Sequence, residues 1–381
     1  MEVILSFMQT LGTVLASTAT AQPWYYGILF KIIPFVIVLG LLIFVHEVGH
    51  FLAAKFFRVK VERFSFGLGP RLVGVKVGDT DYRISAFPLG GYVKMVGEGL
   101  DEEVPAEEEE RSFTHKAVWK RMVIVFCGPF FNFIFAAVVF VLGFFIVGQV
   151  ILTSEIGEVK PGLPAYQAGL RQGDKIVKMA DRPISSWKEL PEVIRSSKGK
   201  PMPVVFVRAG KSYVAQVTPV TSRVKNIFGE EVQESVIGVT PAGKVFHKDL
   251  TLIGAFQAGM DQTWGITKMT LVSLVKLIER KVPLETLGGP IFIAQLAGEQ
   301  AQEGWVNLLF FTALLSINLG VLNLLPIPIL DGGHLVFFAI EWIIGKPLSL
   351  KKREMAQQVG MFILIALMVF VFYNDIVRLL Q

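Results

Sequence analysis

Long apolar stretches alternate with more polar segments along this chain and set its overall plan. Three of them, residues 28–54, 122–150 and 305–325, are long enough to cross a bilayer as a helix, which takes about 20 mostly apolar residues. A fourth apolar run, residues 359–373, is shorter and marginal as a span. The pattern therefore predicts a mostly α polytopic membrane protein with about four transmembrane helices.

The segments between these spans have other periods. Alternate residues are apolar over 73–77 and over 82–86, and Gly78-Asp79 between them supplies a turn, which predicts a membrane-associated β-hairpin. Residues 155–242 hold short β-like runs separated by turn residues and predict one inserted α+β domain. Residues 249–280 are apolar at helical spacing but are interrupted by charges, which predicts an amphipathic helix and not a span.

These patterns divide the chain into eight segments. In order they are a hydrophobic lead-in (1–27), the first transmembrane helix (28–57), a cytoplasmic-side loop with the hairpin (58–121), the second transmembrane helix (122–150), the inserted domain (151–245), an amphipathic helical connector (246–304), the third transmembrane helix with the segment that follows it (305–345) and the fourth transmembrane helix (346–381). No basic residue precedes the apolar part of the lead-in, so we expect it to be retained and not cleaved as a secretory signal.

Composition and the placement of charge support a membrane location. The 381 residues are 52% hydrophobic and 18% charged, whereas soluble domains carry about 25% charged residues. Basic residues cluster after the first and third spans and before the second and fourth, which places those loops in the cytoplasm and the inserted domain outside. The single cysteine, Cys127, excludes a disulfide framework and a thiolate zinc site within one chain.

The candidate chemistry lies inside the first span, in the apolar stretch 39–54. His46 and His50 are four residues apart, so both imidazoles lie on one face of a helix and can share a metal ion. Glu47 lies about 100° round the helix from His46, where it can act as a general base. An ionisable group at membrane depth costs roughly 2.5–3.5 kcal/mol and so seldom lacks a function. The alternative is a pair of histidines packed or snorkelling at a helix end.

A catalytic zinc site requires a third protein ligand beside an open position for water. Asp331 and His334 are the two candidates in apolar surroundings, and both directly follow the third span. The proline-broken segment before Asp331 can bend towards the first span. The residue pattern alone leaves both candidates open.

Five motifs occur in order along the chain and carry a resemblance to a known family. They are HEVGH (46–50), FGLGP (66–70), PLGGYVKM (88–95), GPFFN (128–132) and NLLPIPILDGGH (323–334). Together they resemble the site-2 protease family of intramembrane zinc metalloproteases, most closely its bacterial RseP-type members. The resemblance covers nearly the whole chain from residue 32 onward.

The resemblance implies one Zn²⁺ held by His46, His50 and Asp331, with Glu47 as the catalytic base. It also implies that Asn318 and Asn323, two asparagines on the third span, hold substrate. An intramembrane asparagine can instead make only a helix-to-helix hydrogen bond, which is worth about 0.6 kcal/mol.

The inserted domain resembles a PDZ domain. Residues 156–159 open it, and AGLRQGDKI at residues 168–176 matches the PDZ signature of the family. PDZ domains bind extended peptide ends by strand addition. The chain has room for one such domain, so expectations for members with a tandem pair do not transfer.

The function that follows from the resemblance is an intramembrane zinc metalloendopeptidase. It would cleave the transmembrane segments of membrane proteins that are already trimmed on their outer side, as in anti-sigma factor release or clearance of signal-peptide remnants. Its partners would be single-span membrane proteins and the lipid bilayer of a bacterial inner membrane, and not nucleic acid. The alternatives are a catalytically silent PDZ-bearing scaffold or sensor and a zinc transporter, which would need polar residues along a path through the spans.

The predicted hairpin has a role in this function. A transmembrane helix must open into an extended strand before its backbone reaches a zinc site. An unpaired edge of the 73–86 hairpin could accept such a strand by β-augmentation. The alternative is a hairpin that only shields the site as a plug.

Overall fold

The computed structural model describes residues 24–99, 103–226 and 228–380. The chain divides into two compact units, Met1–Val139 with Glu285–Gln381 and Phe140–Leu284. Most of the predicted lead-in, residues 1–23, lies outside the described residues, and the first helix begins at Trp24.

The described residues form nine helices and twelve strands, which are numbered here in chain order. The helices are α1 (Trp24–Phe56), α2 (Val118–Val147), α3 (Pro164–Gln167), α4 (Leu190–Ser196), α5 (Leu252–Ile278), α6 (Pro290–Glu303), α7 (Trp305–Asn323), α8 (Asp331–Ile344) and α9 (Leu350–Leu380), with 3₁₀ turns at Glu109–Arg111, Trp187–Glu189 and Leu284–Thr286. The strands are β1 (Val61–Val77), β2 (Thr80–Met95), β3 (Gln149–Leu152), β4 (Ile156–Val159), β5 (Lys175–Met179), β6 (Arg182–Pro183), β7 (Met202–Arg208), β8 (Lys211–Val217), β9 (Val220–Lys225), β10 (Glu231–Val236), β11 (Val239–Pro241) and β12 (Val245–Lys248).

Four helices in the described part of the chain are long and apolar enough to cross a membrane. They are Leu29–Phe56, Val118–Val147, Trp305–Asn323 and Leu350–Leu380. A mostly helical chain with four candidate spans and a β-rich domain is the architecture that the apolar pattern predicts. The helix of the last candidate span has 31 residues, so it extends beyond the apolar run 359–373 at both ends and lies within the predicted segment 346–381. Basic residues in its first turn do not end the helix, since long basic side chains extend their charges towards water.

Helix α8 was not predicted as a separate element. The interval 305–345 was expected to hold one transmembrane helix and a following segment, but α7 ends at Asn323 and α8 begins at Asp331. Pro326 and Pro328 lie between them, and proline cannot donate a helical hydrogen bond. The break therefore produces a new helix whose first residue is Asp331.

The predicted hairpin is much longer than residues 73–86. Strands β1 and β2 run antiparallel, but each bends, so that four segments lie side by side. Residues 61–66 pair on one side with residues 91–95 and on the other with residues 81–84, and the tip 71–77 pairs with 80–85. The two outer edges of this bent sheet are thus the segments 91–95 and 71–77.

Glycines make the two bends possible. Gly67 and Gly69 in the FGLGP motif have φ angles of 93° and 89°, which strain other residues. A Cβ at Gly91 would lie 2.8 Å from the carbonyl oxygen of Ser65 in the neighbouring strand. Beyond the bend, the apolar side chains of the tip are exposed on both faces: Leu72, Val73, Val75 and Val77 are 59–66% exposed.

The second unit contains the β-rich domain. Its central sheet has the order β6–β5–β7–β8, and β4 pairs with β11. Its core includes Ile156, Ile176, Met179 and Phe206. Strands β3 and β12 pair at the base of the domain, where the Thr153 amide donates to the Lys244 carbonyl at 2.9 Å.

Helix α5 also belongs to this second unit. It has 27 residues and is not among the four candidate spans of the described chain. Ala255, Gly259 and Thr263 are buried at intervals of four residues. A Cβ at Gly259 would lie 2.8 Å from the backbone nitrogen of Val141 on α2, so small residues allow these helices to approach closely.

Candidate metal centre and active site

The structure brings His46, His50 and Asp331 together. Their ligating atoms lie within 4.8 Å of one another. Asp331 Oδ2 is 3.0 Å from His46 Nε2, Asp331 Oδ1 is 3.6 Å from His50 Nε2, and the two Nε2 atoms are 3.1 Å apart. Two imidazole nitrogens and a carboxylate thus point at one small volume.

The other ring nitrogen of each histidine faces a group on α2. Nδ1–H of His50 donates to the carbonyl oxygen of Ile124 at 3.0 Å, which leaves Nε2 free to bind a cation. Nδ1 of His46 lies 3.3 Å from the side-chain amide of Asn132, which is fully buried and whose Oδ1 has no hydrogen-bond partner. After a half-turn of that amide, Oδ1 accepts Nδ1–H of His46, which leaves Nε2 of His46 to face Asp331.

Two glycines let α1 and α2 approach closely enough for these contacts. A Cβ at Gly49 would lie 2.1 Å from the carbonyl oxygen of Cys127, and a Cβ at Gly128 would lie 2.3 Å from Nε2 of His50. Both distances are far inside van der Waals contact. Only glycine at position 128 leaves room for the imidazole and for a cation beside it.

Asp331 is placed by the glycines that follow it. A Cβ at Gly332 would lie 2.2 Å from the carbonyl oxygen of Leu325, and a Cβ at Gly333 would lie 2.3 Å from that of Ile327. The start of α8 therefore packs directly on the proline-containing turn. The two glycines of the LDGG segment are required by this close approach, which fixes the direction of the Asp331 carboxylate.

Glu47 lies beside the outer edge of the bent sheet. Its Oε2 accepts the Val93 amide at 3.0 Å, and Oε2 of Glu98 accepts the Met95 amide at 3.1 Å. The next amide along the strand, that of Val96, points the other way and donates to the Lys60 carbonyl. The amides of residues 93 and 95 therefore point out of the sheet at the edge that faces Glu47.

The metal-binding groups open onto a cavity of about 610 Å³. Glu47, Tyr92 and Glu98 line it near the histidines, and Arg121 and Glu341 also line it. Such a volume suits a short stretch of extended polypeptide and the water that hydrolysis consumes.

Of the remaining candidate residues, Asn323 lies near the histidines, whereas Asn318 and His334 lie elsewhere around the site. The Asn323 amide lies 3.5 Å from Nδ1 of His46. Asn318 is half-buried on the same helix, about 140° round from Asn323. His334, which the residue pattern left open as a third ligand, lines the cavity but does not belong to the group of three.

The three groups fit a zinc ion. Two histidines with one carboxylate, and room for a fourth ligand, form a donor set of catalytic zinc sites. The donors converge, the buried Nδ1 contacts orient both rings, and Gly128 leaves the space free. Among the described residues this is the one group of three or more possible ligands that lies so close together.

The sequence reasoning missed the residues that support the ligands. Ile124, Gly128 and Asn132 were not predicted as site residues, although Gly128 and Asn132 belong to the GPFFN motif. The available signal was a polar residue and a Gly-Pro pair inside an apolar span.

Comparison with known proteins relates nearly the whole chain to one family. The model of Peptidase family M50 matches residues 34–367. A protein of Agrobacterium fabrum that bears a zinc metalloprotease name is 34% identical over 92% of this chain and 96% of its own length. Zinc metalloprotease RasP of Oceanobacillus iheyensis is 30% identical over 91% of this chain and 99% of its own length. Among solved structures, the PDZ domain of an SdrC-like protein from Listeria monocytogenes is 22% identical, with a TM-score of 0.19, over 23% of this chain and 84% of that domain.

Proposed function

We propose a specific activity for this chain, which belongs to peptidase family M50, the site-2 protease family of zinc metalloproteases. In this proposal, the protein cuts the transmembrane segments of membrane proteins that are already trimmed on their outer side. The observation that carries this proposal is the convergence of His46, His50 and Asp331, since α1 is a candidate span and α8 follows another. A hydrolytic centre between such helices acts on chains that are themselves in the membrane.

In this proposal His46, His50 and Asp331 hold the zinc ion and Glu47 is the general base. Zinc, when bound, supplies a Lewis acid for the scissile carbonyl and makes water more acidic. Glu47 takes a proton from the attacking water and returns it to the amine of the leaving strand. Val93 holds the Glu47 carboxylate beside the cavity before substrate arrives. Asn323 is close enough to the centre to hold the substrate backbone, and Asn318 acts farther along the same helix.

We place substrate docking at the edge formed by residues 91–95. A helix in lipid has its backbone groups bonded internally, so an opened segment needs new partners. The outward amides of Val93 and Met95, which contact the carboxylates of Glu47 and Glu98 respectively, offer such partners beside the cavity. The substrate strand replaces these carboxylate contacts with its own carbonyls, as in β-augmentation. The sequence pattern predicted the docking edge on the 73–86 hairpin without indicating a strand, and the segment 71–77 of that hairpin lies at the opposite edge of the sheet.

We further propose that the β-rich domain is a single PDZ-like domain outside the cytoplasm. The basic residues that flank the candidate spans support this orientation under the positive-inside rule. The metal centre then lies near the cytoplasmic side of a bacterial inner membrane. The domain would restrict which trimmed proteins enter, and the substrates would be single-span proteins.

The proposal is tested with the full chain reconstituted in lipid vesicles. A synthetic membrane span should be cut inside its apolar segment, and mass spectrometry locates the bond. Glu47→Gln should retain one zinc per chain and lose cleavage, because it keeps the ligands and removes the base. Full activity of Glu47→Gln, or cuts confined to water-exposed flanks, would refute the proposal. Membrane fragments that accumulate in cells expressing Glu47→Gln would identify the natural substrates.

A catalytically silent scaffold is the less favoured alternative. Such a protein would be expected to have lost the base or a ligand, but Glu47 and all three proposed ligands are present and close together. A zinc transporter is also less favoured, because the candidate ligands lie at one place and do not line a path.

A further inference from the structure

A buried ion pair lies at the far end of α8 from Asp331. Nη2 of Arg121 is 2.6 Å from Oε1 of Glu341, and Nη1 donates to Oε2 at 3.2 Å. Arg121 is 6% exposed and Glu341 is 7% exposed. The Nε of Arg121 donates to the Lys116 carbonyl, and its guanidinium lies 5.0 Å from the Phe338 ring centre. All the nitrogens of Arg121 thus have acceptors, as a buried charge requires.

The pair connects two of the three helices around the candidate metal centre, α2 and α8. Arg121 is on α2, which also carries the Ile124 carbonyl that orients His50 and the glycine that abuts it. Glu341 is on α8, ten residues and about 15 Å after Asp331. The start of α8 is fixed by Gly332 against the preceding turn, and its end is fixed by Arg121.

The pair lines the same cavity as Glu47, but the guanidinium and the carboxylate are bonded to each other, which leaves neither free to act as an acid or a base. Burying two charges costs more free energy than burying apolar side chains of the same size. A bidentate pair differs from apolar packing in that it fixes one geometry between two elements. Arg121 and Glu341 therefore fix the rotation and the position of α8 along α2.

We propose that the Arg121–Glu341 pair positions Asp331 for zinc binding. Both are positioning residues, which act through α8 and not on the substrate. The inference rests on the proposed function in one respect, namely that Asp331 is a zinc ligand. It adds a determinant of zinc affinity that lies outside the five family motifs.

The test measures zinc affinity by chelator competition on the purified full chain, without any substrate. Arg121→Gln and Glu341→Gln should each weaken zinc binding by about 10-fold, the lower end of the loss that follows removal of a group bonded directly to a ligand, because this pair acts on Asp331 only through α8. The value of kcat should fall at limiting zinc and recover in part at excess zinc, while KM stays unchanged. The double variant Arg121→Glu/Glu341→Arg should recover part of the affinity because the pair is restored with its charges exchanged.

Arg353→Gln is the matched control. Its Nη2 is 3.4 Å from Glu341 Oε2, so this change removes a charge beside the same carboxylate and leaves the bidentate pair intact. We expect its zinc affinity to stay within about 3-fold of the parent. Wild-type zinc affinity in folded Arg121→Gln and Glu341→Gln would overturn the proposal. If Arg121→Gln does not fold, Glu341→Gln and the double variant decide.

The outcome can be separated from the test of the proposed function. That function fails if Glu47→Gln still cleaves, whatever the zinc affinity of the Arg121 variants. The positioning role fails if Asp331→Ala loses zinc while the Arg121 and Glu341 variants bind it normally.

Discussion

At the residue scale, the metal centre depends on what α2 places behind the two histidines. Gly128 leaves space, the Ile124 carbonyl fixes one imidazole, and Asn132 faces the other. The ligands themselves come from motifs that can be read in the sequence. Their orientation comes from residues about 80 positions away in the chain.

The narrowest of these contacts gives a direct prediction. Gly128→Ala should lose nearly all zinc and cleavage, because its methyl group would lie 2.3 Å from Nε2 of His50. Zinc content of the purified protein measures this. Gly265→Ala is the control, since a Cβ there meets nothing within 4 Å and alanine favours a helix. Zinc retention in Gly128→Ala would show that α2 can move away without cost.

Substitutions of Asn132 and Asn323 distinguish orientation of His46 from substrate binding. Asn132→Ala should weaken zinc binding by about 10-fold, because it removes the group that orients His46. Asn323→Ala should change zinc affinity less and should raise KM, if it holds substrate as proposed. Chelator competition and initial cleavage rates on both variants measure these effects. An exchange of the two phenotypes would reverse the assignment.

The sequence predicted part of this site for a physical reason. His46 and His50 are neighbours on one helix, so their spacing alone brings them together. Asp331 is distant in the chain and was selected over His334 by the family resemblance. The role of Asn132 depends on a close contact between two helices, which a single sequence does not encode as a local pattern.

At the element scale, alternation in the sequence found the hairpin but not its bends. The apolar alternation at 73–77 and 82–86 marks the tip, whereas β1 begins at Val61 and β2 ends at Met95. The bends occur where glycines adopt positive φ, and a turn can equally end a strand. As a result, the edge beside Glu47 was not the edge first expected.

Proline substitutions distinguish the two edges. Met95→Pro removes an outward amide at the edge beside the cavity and leaves the inter-strand hydrogen bonds in place. We expect it to reduce cleavage by about 10-fold or more through KM, because docking uses backbone hydrogen bonds. Val93→Pro should act more strongly, since that amide also holds Glu47. Cleavage rates at several substrate concentrations measure both effects.

Val75→Pro supplies the comparison, because residue 75 lies in the segment 71–77 at the opposite edge. It should cleave at more than half the parent rate with normal zinc content. If Val75→Pro is inactive and Met95→Pro is normal, docking occurs at the tip. If all three variants cut normally, the bent sheet is only a plug.

At the scale of the whole molecule, the proposed catalytic residues and the β-rich domain belong to different units. The three proposed ligands, Glu47 and the docking edge all belong to the unit formed by Met1–Val139 and Glu285–Gln381. The β-rich domain lies entirely within the other unit and has its own core. We therefore expect that bond cleavage does not require the side chains of that domain.

The β3–β12 strand pair, where the chain enters and leaves the β-rich domain, shows where that domain can be removed. Strands β3 and β12 pair from Leu152–Val245 to Gln149–Lys248, and Thr153 donates to Lys244 directly beyond them. Replacing residues 154–243 with a short Asn-Gly turn should close this pair as a hairpin without exposing new strand edges.

The shortened chain should keep its zinc and should cut short synthetic spans at the parent rate or faster. It should also cut spans with large outer domains that the full chain rejects, if the domain restricts access as proposed. Cleavage of a matched pair of substrates, with and without a folded outer domain, measures this. A shortened chain that inserts correctly and holds zinc but cuts neither substrate would show that the domain takes part in cleavage itself.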